Sequence, residues 1–278
     1  MLGGYSLNEK LLGIHERLMT IVKEQSCILG AWYFGSASRD LADEYSDLDV
    51  VFLVDGAGLT EVDARMTGWL ESCCDRVVLC YPEGFNGEAI VNNGYLLEAE
   101  GQIVCYDVFL LNSARLEDGI CRMHYAGLRE NSIIFDRNGS VRALAASAPS
   151  GAPWRDDIDR LIRVYWYHAH LSAKYLLRGD FFKLENVTRT LMDAHVSLLL
   201  TVHDQSTWGG SANKLHHLPD DVQEHVRHYG CVPDFPLMRS RLLQCFRWFV
   251  EDVKAVSPAD ATAETVLSRW MEQTRPLA

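Results

Sequence analysis

The sequence lacks the features that mark several large classes of protein. No stretch reaches the roughly 18 consecutive apolar residues of a membrane-spanning helix, and residues 1–4 do not resemble the basic start of a secretory leader. The eight cysteines include no C-x-x-C pair, and we interpret them as reduced thiols. These absences lead us to expect a soluble, cytoplasmic protein with no membrane partner.

The sequence also has no excess of positively charged residues. The chain carries 26 Lys and Arg residues against 38 Asp and Glu residues, a formal net charge of -12. A protein that binds nucleic acid nonspecifically needs a broad basic surface, so we do not expect nucleic acid as a partner. An acidic surface attracts cations, which favours a cationic small molecule as substrate.

The most informative pattern lies in the first fifth of the chain. An apolar segment ends in Gly35-Ser36, and about ten residues later a second apolar segment carries Asp47 and Asp49. Side chains alternate between the faces of a strand, so the two carboxylates point the same way. Mg²⁺ is commonly bound by one or two carboxylates together with substrate phosphates. The glycine allows a tight turn, and the serine offers donors to an anion. An exposed hairpin with scattered acids is the alternative, but the apolar run from Val50 disfavours it.

This arrangement resembles the signature of the polymerase-beta-like nucleotidyltransferases. The resemblance implies transfer of a nucleoside monophosphate from a nucleoside triphosphate, ATP in our interpretation, to a hydroxyl group, with release of pyrophosphate. It implies two Mg²⁺ ions bridged by Asp47 and Asp49, and β- and γ-phosphates held by Gly35 and Ser36. It also implies a third carboxylate on a later strand of the same sheet.

Asp107 is the natural match for that third carboxylate. Residues 95–109 read as two strands joined tightly at Glu100-Gly101, and Asp107 lies within the second strand. It would bind the metal nearer the acceptor, and Asp107 or Glu98 would take the hydroxyl proton. An edge-strand aspartate facing solvent is the alternative interpretation. In that case Glu98 or Glu100 would be the third carboxylate.

The rest of the chain suggests two domains. Residues 144–153 are almost all small residues and proline, a composition typical of a connector. We therefore place a catalytic domain at residues 1–148 and a helical, substrate-binding domain at residues 149–278. Helices are predicted over residues 8–23 and 61–72, and, after the boundary, over residues 156–178, 181–203, 219–229, 235–255 and 261–273.

This layout resembles the lincosamide and aminoglycoside nucleotidyltransferases, in which substrate binds between the two parts. It implies a fold of the α/β (α+β) class, with a mixed sheet followed by an all-α helical bundle. The acceptor would be a small hydroxylated antibiotic, and the oligomeric state stays open, a homodimer included. Arg39, Lys174 and Lys183 are the candidates to bind the nucleotide phosphates, with ordinary surface positions as the alternative for each.

Two other classes are kept as alternatives. The spacings of Arg163 to His168 and of Arg189 to His195 resemble the Arg-to-His element of HEPN ribonucleases, which would suggest a toxin–antitoxin-related protein acting on RNA or protein. Chance pairs arise readily in a chain with ten histidines. A degenerate nucleotide-binding sensor is disfavoured because all three aspartates are present.

Overall fold

The computed structural model describes residues 7–39, 42–147, 156–203, 205, 212–257 and 261–278. The chain divides into two compact units, Met1–Pro153 and Trp154–Ala278. The predicted boundary between residues 148 and 149 lies outside the described residues. Its exact position therefore stays a prediction.

The first unit combines a mixed sheet with helices. In chain order its main elements are α1 (Glu9–Lys23), β1 (Ile28–Tyr33), β2 (Leu48–Val54), α2 (Leu59–Glu71), β3 (Arg76–Pro82), β4 (Ile90–Ala99), β5 (Gln102–Asn112), α3 (Gly119–Tyr125), β6 (Ile133–Asp136) and α4 (Ser140–Ser147). The strand order is β3-β4-β5-β2-β1-β6. Strands β2 and β5 pair in parallel, and the other neighbours pair antiparallel. The predicted mixed sheet is confirmed.

Both faces of the sheet bury apolar side chains. Val50 and Phe52 of β2 join the core cluster that contains α1 and α2 residues, whereas Val51 belongs to the cluster that contains α3 and α4 residues. Strand β2 is therefore buried on both faces, as its unbroken apolar run predicts. By the same alternation, Asp49 and Asp107 lie on the face that carries Val51 and Phe109.

The β4–β5 hairpin is confirmed. Its turn consists of Glu100 and Gly101, which both have positive φ angles of 49° and 76°. Such angles are those of a two-residue turn whose twist matches that of the flanking strands. Because the turn sets the pairing, Gly94 of β4 lies opposite Asp107 of β5.

The second unit is helical over its described residues. Its helices are α5 (Ile158–Arg178), α6 (Phe181–Val202), α7 (Asp220–Val226), α8 (Phe235–Lys254) and α9 (Ala261–Gln273). Helix α5 begins after Asp157, whose side chain accepts the backbone N–H groups of Asp159 and Arg160, and ends at Gly179 with φ of 63°. The predicted helical region is confirmed. Among the described helices, none has the length and apolarity needed to cross a bilayer.

One part of the predicted connector is wrong. Leu144 to Ser147 form the last turn of α4, and Val141 and Leu144 are buried against the sheet. Alanine is the strongest helix former, so small residues next to a buried apolar pair continue the helix. The remaining connector residues, from 148 to 153, lie outside the described residues.

Candidate active site

The Gly35-Ser36 segment forms a tight turn directly after β1. Gly35 has a φ of +56°, in the left-handed region that favours glycine. The Ser38 hydroxyl donates a hydrogen bond to the Gly35 carbonyl at 2.8 Å, and the Arg39 N–H donates to the Ser36 carbonyl at 3.1 Å. These bonds continue into a short 3₁₀ turn over Ala37–Arg39. They fix the backbone of Gly35 and Ser36.

The Ser36 hydroxyl is buried and has no hydrogen-bond partner among the described residues. A buried polar group without a partner costs roughly 1–3 kcal/mol, so the unpaired Ser36 hydroxyl calls for an explanation. A ligand oxygen would satisfy this donor. Phosphate oxygens, which accept strongly, fit it.

Gly35 is required for a second reason, which is its contact with Asp49. A Cβ atom at Gly35 would lie 2.1 Å from the Oδ2 atom of Asp49. The carboxylate therefore rests directly against the backbone of the turn. The Phe34 N–H donates to the Asp49 carbonyl at 3.0 Å, which ties the turn to the start of β2.

Strand pairing brings Asp107 beside Asp49, since the two residues are partners in the parallel β2–β5 register. On its other side, Asp107 faces Gly94, where a Cβ atom would lie 2.9 Å from its Oδ1 atom. Sequence reasoning missed Gly94. The available signal was a glycine inside a strand, which often marks a close approach by another group.

The carboxylates destabilise one another's charged forms. Burial raises the pKa of Asp49 to about 8, with further contributions from Asp47 and Asp107. Burial is also the largest cause that raises the pKa of Asp107, to about 6, and the negative charges of Asp47 and Glu83 contribute to the same increase. A nearby cation favours the charged form of a carboxylate. The site is therefore one in which a bound cation would relieve both burial and repulsion.

The oxygen ligands of Asp49, Asp107 and Ser36 fit Mg²⁺, although their side chains do not surround a single point. No group of three His, Cys, Asp or Glu residues placed to hold a metal occurs in the described parts of the chain. Asp49 leans against Gly35, which follows β1, while Asp107 leans towards Gly94 on β4. Mg²⁺ takes hard oxygen ligands and uses substrate phosphates to complete its shell. Carboxylate oxygens beside an unpaired serine hydroxyl match that chemistry.

Of the predicted phosphate-binding cations, Arg39 lies on the 3₁₀ turn that contains Ala37 and follows Ser36. Partial desolvation, followed by the positive charge of Arg129, lowers the pKa of the Arg39 guanidinium, which nevertheless stays protonated at neutral pH. Arg129 was not predicted, because 90 residues of sequence separate the two arginines. Like charges held together favour a polyanion nearby.

The other two cations belong to the second unit. Lys174 on α5 lies 5.1 Å from the ring centre of Tyr175. Lys183 on α6 lies 6.0 Å from the same ring and pairs with Asp180 at 3.1 Å. The two lysines therefore flank one tyrosine. Their role at the α-phosphate stays a prediction.

The fallback carboxylates are engaged elsewhere. Glu98 pairs with Arg76 at 2.7 Å, and Glu100 pairs with Lys10 at the tip of the hairpin. In contrast, Glu83 lies just beyond β3, where its charge reaches Asp107. It is a further acid that the sequence did not reveal, because the link depends on the pairing of β3, β4 and β5.

His195 is hydrogen-bonded on both ring nitrogens within the helical unit. Its Nδ1 atom lies 2.8 Å from the Tyr229 hydroxyl and its Nε2 atom lies 2.8 Å from Asp252 Oδ2. The ring is buried in the helical unit, whereas Arg189 is exposed. The other pair is similar, since the Nδ1 atom of His168 lies 2.8 Å from the Val164 carbonyl oxygen. These contacts do not favour the HEPN hypothesis.

Part of the first unit matches a known protein domain. Residues 15–92 match the family model of a nucleotidyltransferase domain, a stretch that includes Gly35, Ser36, Asp47 and Asp49. The resemblance to nucleotidyltransferases is thereby confirmed at the level of the domain, which indicates a transferase acting on a nucleotide. Nothing in the match concerns an antibiotic acceptor.

Solved structures add a more distant likeness. A nucleotidyltransferase-like protein from Exiguobacterium sibiricum aligns over 95% of this chain and 89% of that chain at 13% identity, with a TM-score of 0.29. That score is too low to support a structural argument. None of the curated proteins compared with the chain matches it.

Proposed function

We propose that the protein is a Mg²⁺-dependent nucleotidyltransferase that moves AMP from ATP to a hydroxyl group of a small molecule. The observation that supports this most is the meeting of Asp49 with Asp107 and with the Gly35-Ser36 turn. One side of Asp49 adjoins the Gly35-Ser36 turn, and the other adjoins a second carboxylate. That order suits a reaction in which the α-phosphate lies between the β- and γ-phosphates on one side and the acceptor on the other.

The residues take complementary roles in this proposal. Asp47, Asp49 and Asp107 would hold two Mg²⁺ ions, which when bound would stabilise charge on the attacking and leaving oxygens. The Ser36 hydroxyl and the adjacent backbone would bind the β- and γ-phosphates, with Arg39 adding positive charge. Because the backbone of the turn is fixed by hydrogen bonds, its N–H groups would need no rearrangement when charge develops.

The transfer requires one proton acceptor. The acceptor hydroxyl oxygen bonds to the α-phosphorus, the bond from that phosphorus to the bridging oxygen breaks, and pyrophosphate leaves. Asp107 takes the hydroxyl proton in this proposal. We propose an aminoglycoside or lincosamide antibiotic as the acceptor, on the strength of the sequence resemblance.

The test compares Asp49→Asn with the parent in the presence of labelled ATP, Mg²⁺ and a panel of hydroxylated antibiotics. Transfer and pyrophosphate release should fall to background in Asp49→Asn. Its stability should be unchanged or higher, because the substitution removes a buried carboxylate with a pKa of about 8. Asp55→Asn is the matched control, since Asp55 follows the other end of β2 and makes no side-chain cap hydrogen bond.

The control should keep the parent's transfer rate. Near-normal turnover of Asp49→Asn at saturating Mg²⁺ would contradict the proposal. An equal loss in Asp55→Asn would indicate a general effect of removing charge from β2.

A further inference from the structure

Negative charge is concentrated in the first unit of the chain. Residues 1–153 carry 22 Asp and Glu residues against 11 Lys and Arg residues, whereas residues 154–278 carry 16 against 15. The formal net charge of -12 therefore belongs almost entirely to the unit that contains the candidate active site. Because the second unit is close to neutral, a basic surface on it is concealed by the average over the whole chain.

Helix α5 in the second unit presents a basic face to solvent. Its apolar side chains are buried in the core of the helical unit. Its exposed residues are spaced three or four apart, which places them on one side of the helix. They are Arg160, Arg163, Tyr167, His170, Lys174, Leu177 and Arg178. The helix contains one acidic residue, Asp159, in its first turn. We define the basic stripe as Arg160, Arg163, Tyr167, His170, Lys174 and Arg178.

The cations of the basic stripe form no ion pair within the part of the chain that the structure describes. In contrast, another exposed arginine of the second unit, Arg269, pairs with Glu272 at 2.6 Å. The charge of Arg178, the last cation of the stripe, reaches Asp180, but Asp180 is paired with Lys183 at 3.1 Å. The stripe therefore retains its positive charge for an external anion.

A cavity of about 370 Å³ opens at one end of the basic stripe. Its lining consists of His170, Lys174, Leu177, Arg178 and, from the end of α9, Gln273. Four of these five side chains can donate hydrogen bonds, and none is acidic. Phosphate oxygens accept strongly from such donors. A volume of a few hundred Å³ is that of a small-molecule site, so the cavity has room for one nucleotide of a longer chain.

Tyr167 distinguishes the possible anions. Its side chain is 62% exposed, and it lies one turn after Arg163 and about one turn before His170 on the same side of the helix. In proteins that bind single-stranded nucleic acid, bases stack on aromatic rings while cations follow the phosphates. A segment of acidic protein has no base to place on the ring. The exposed tyrosine between cations therefore favours a nucleic acid.

The length of the basic stripe favours a chain of phosphates over a free nucleotide. Arg160 and Arg178 are 18 residues apart, which corresponds to about 27 Å along a helix. A free nucleotide would contact only part of such a stripe. Single-strand binding sites of a few nucleotides or more are common, so the stripe suits several consecutive nucleotides.

We propose that the basic stripe binds the phosphate backbone of a single-stranded nucleic acid, with a base stacked on Tyr167 and one nucleotide in the cavity beside Lys174. The stripe lies wholly in the second unit, so this binding does not depend on the proposed transfer reaction. It revises the expectation, drawn from the charge of the whole chain, that nucleic acid is not a partner.

The experiment measures fluorescence anisotropy of a labelled single-stranded RNA of about twelve nucleotides, titrated with the full chain at several salt concentrations. Single-stranded DNA of the same sequence is titrated in parallel. The variants are the double substitution Arg163→Ala with Lys174→Ala, and Tyr167→Ala. The matched control is Arg247→Ala with Lys254→Ala, which removes two exposed cations from α8 instead.

We expect the parent to bind with a Kd of about 1–100 μM at physiological salt. The Arg163→Ala, Lys174→Ala protein should bind about tenfold more weakly. Its slope of log K against log salt should be shallower by about 1.4, since each lost phosphate contact removes about 0.7. Tyr167→Ala should weaken binding about fivefold or more with the slope unchanged, because stacking releases no counterions. The control should match the parent.

This pattern with RNA, DNA or both would support the proposal. Absence of binding, or an equal loss in the α8 control, would overturn it. Tighter binding of polyglutamate or of vesicles containing phosphatidylserine would overturn it as well, because the partner would then be an acidic protein or a membrane.

Lys174 is also the candidate to bind the α-phosphate, so a competition with ATP and Mg²⁺ separates the two roles. Complete displacement of the oligonucleotide at the ATP concentration that saturates the protein would assign the basic stripe to the nucleotide substrate and overturn the proposal. Failure of the proposed function would appear as absent transfer to any acceptor. The anisotropy titrations would be unaffected by that result.

Discussion

Gly94→Ala tests how closely the sheet positions Asp107. The added Cβ would lie 2.9 Å from Asp107 Oδ1, whereas ordinary contact begins at 3.4 Å. The carboxylate must therefore move by about half an ångström. A misplacement of about 1 Å can cost about 10²-fold in rate, so half of that predicts a loss of about tenfold. The backbone itself is not strained, because Gly94 does not have a positive φ angle, and alanine in place of glycine stabilises a strand by up to about 1 kcal/mol.

The assay is single-turnover transfer with ATP and Mg²⁺, together with thermal denaturation. Gly68→Ala is the matched control, because a Cβ there meets nothing within 4 Å. A double-mutant cycle gives the sharpest result. In an Asp107→Asn background, Gly94→Ala should reduce the transfer rate by much less than tenfold, since the effects of substitutions at residues in contact are not additive. An equal loss in both backgrounds, or no loss in the parent, would refute the reasoning.

Other predictions follow from the same site and core. Asp107→Asn should slow transfer far more than it weakens ATP binding, because the proposed role of Asp107 is on the acceptor side. Calorimetry measures the loss of ATP affinity and single-turnover kinetics the loss of rate, and equal losses would contradict that role. Ser36→Ala should weaken ATP binding by about three- to tenfold without loss of stability, since its hydroxyl has no partner among the described residues; unchanged affinity would exclude it as a phosphate ligand. Burial, followed by the charge of Lys23, lowers the pKa of His15 to about 4. As the pH falls, His15 is therefore protonated in the unfolded chain at a higher pH than in the folded chain. About 3 kcal/mol of the free energy of unfolding that is present above pH 6.5 should be lost as the pH falls to 4. When the free energy of unfolding is measured by denaturation between those pH values, His15→Gln should lose less of it than the parent does. An identical pH dependence in the two proteins would show that His15 is not the group responsible.

Local sequence was sufficient to predict the parts of the site that lie close together in the chain. Gly35 and Asp49, which the structure brings into contact, are 14 residues apart. Asp47 comes directly before β2 and is exposed, so its place beside Asp49 stays a prediction. The turn at Glu100 and Gly101 sets its own hairpin register, which is why Asp107 could be located on a strand. These inferences need only the backbone preferences of glycine and the period of a strand.

Tertiary structure decided which distant residues share the site. The parallel β2–β5 register makes Asp107 the partner of Asp49, and the two further strands bring Gly94 and Tyr81 into the same row. Long-range pairing depends on how the whole sheet packs, not on local propensity. The same packing gave Glu98 its arginine partner, 22 residues away. The proposed catalytic chemistry thus rests on short motifs, whereas the surface beside it exists only because the strands assemble in the order β3-β4-β5-β2.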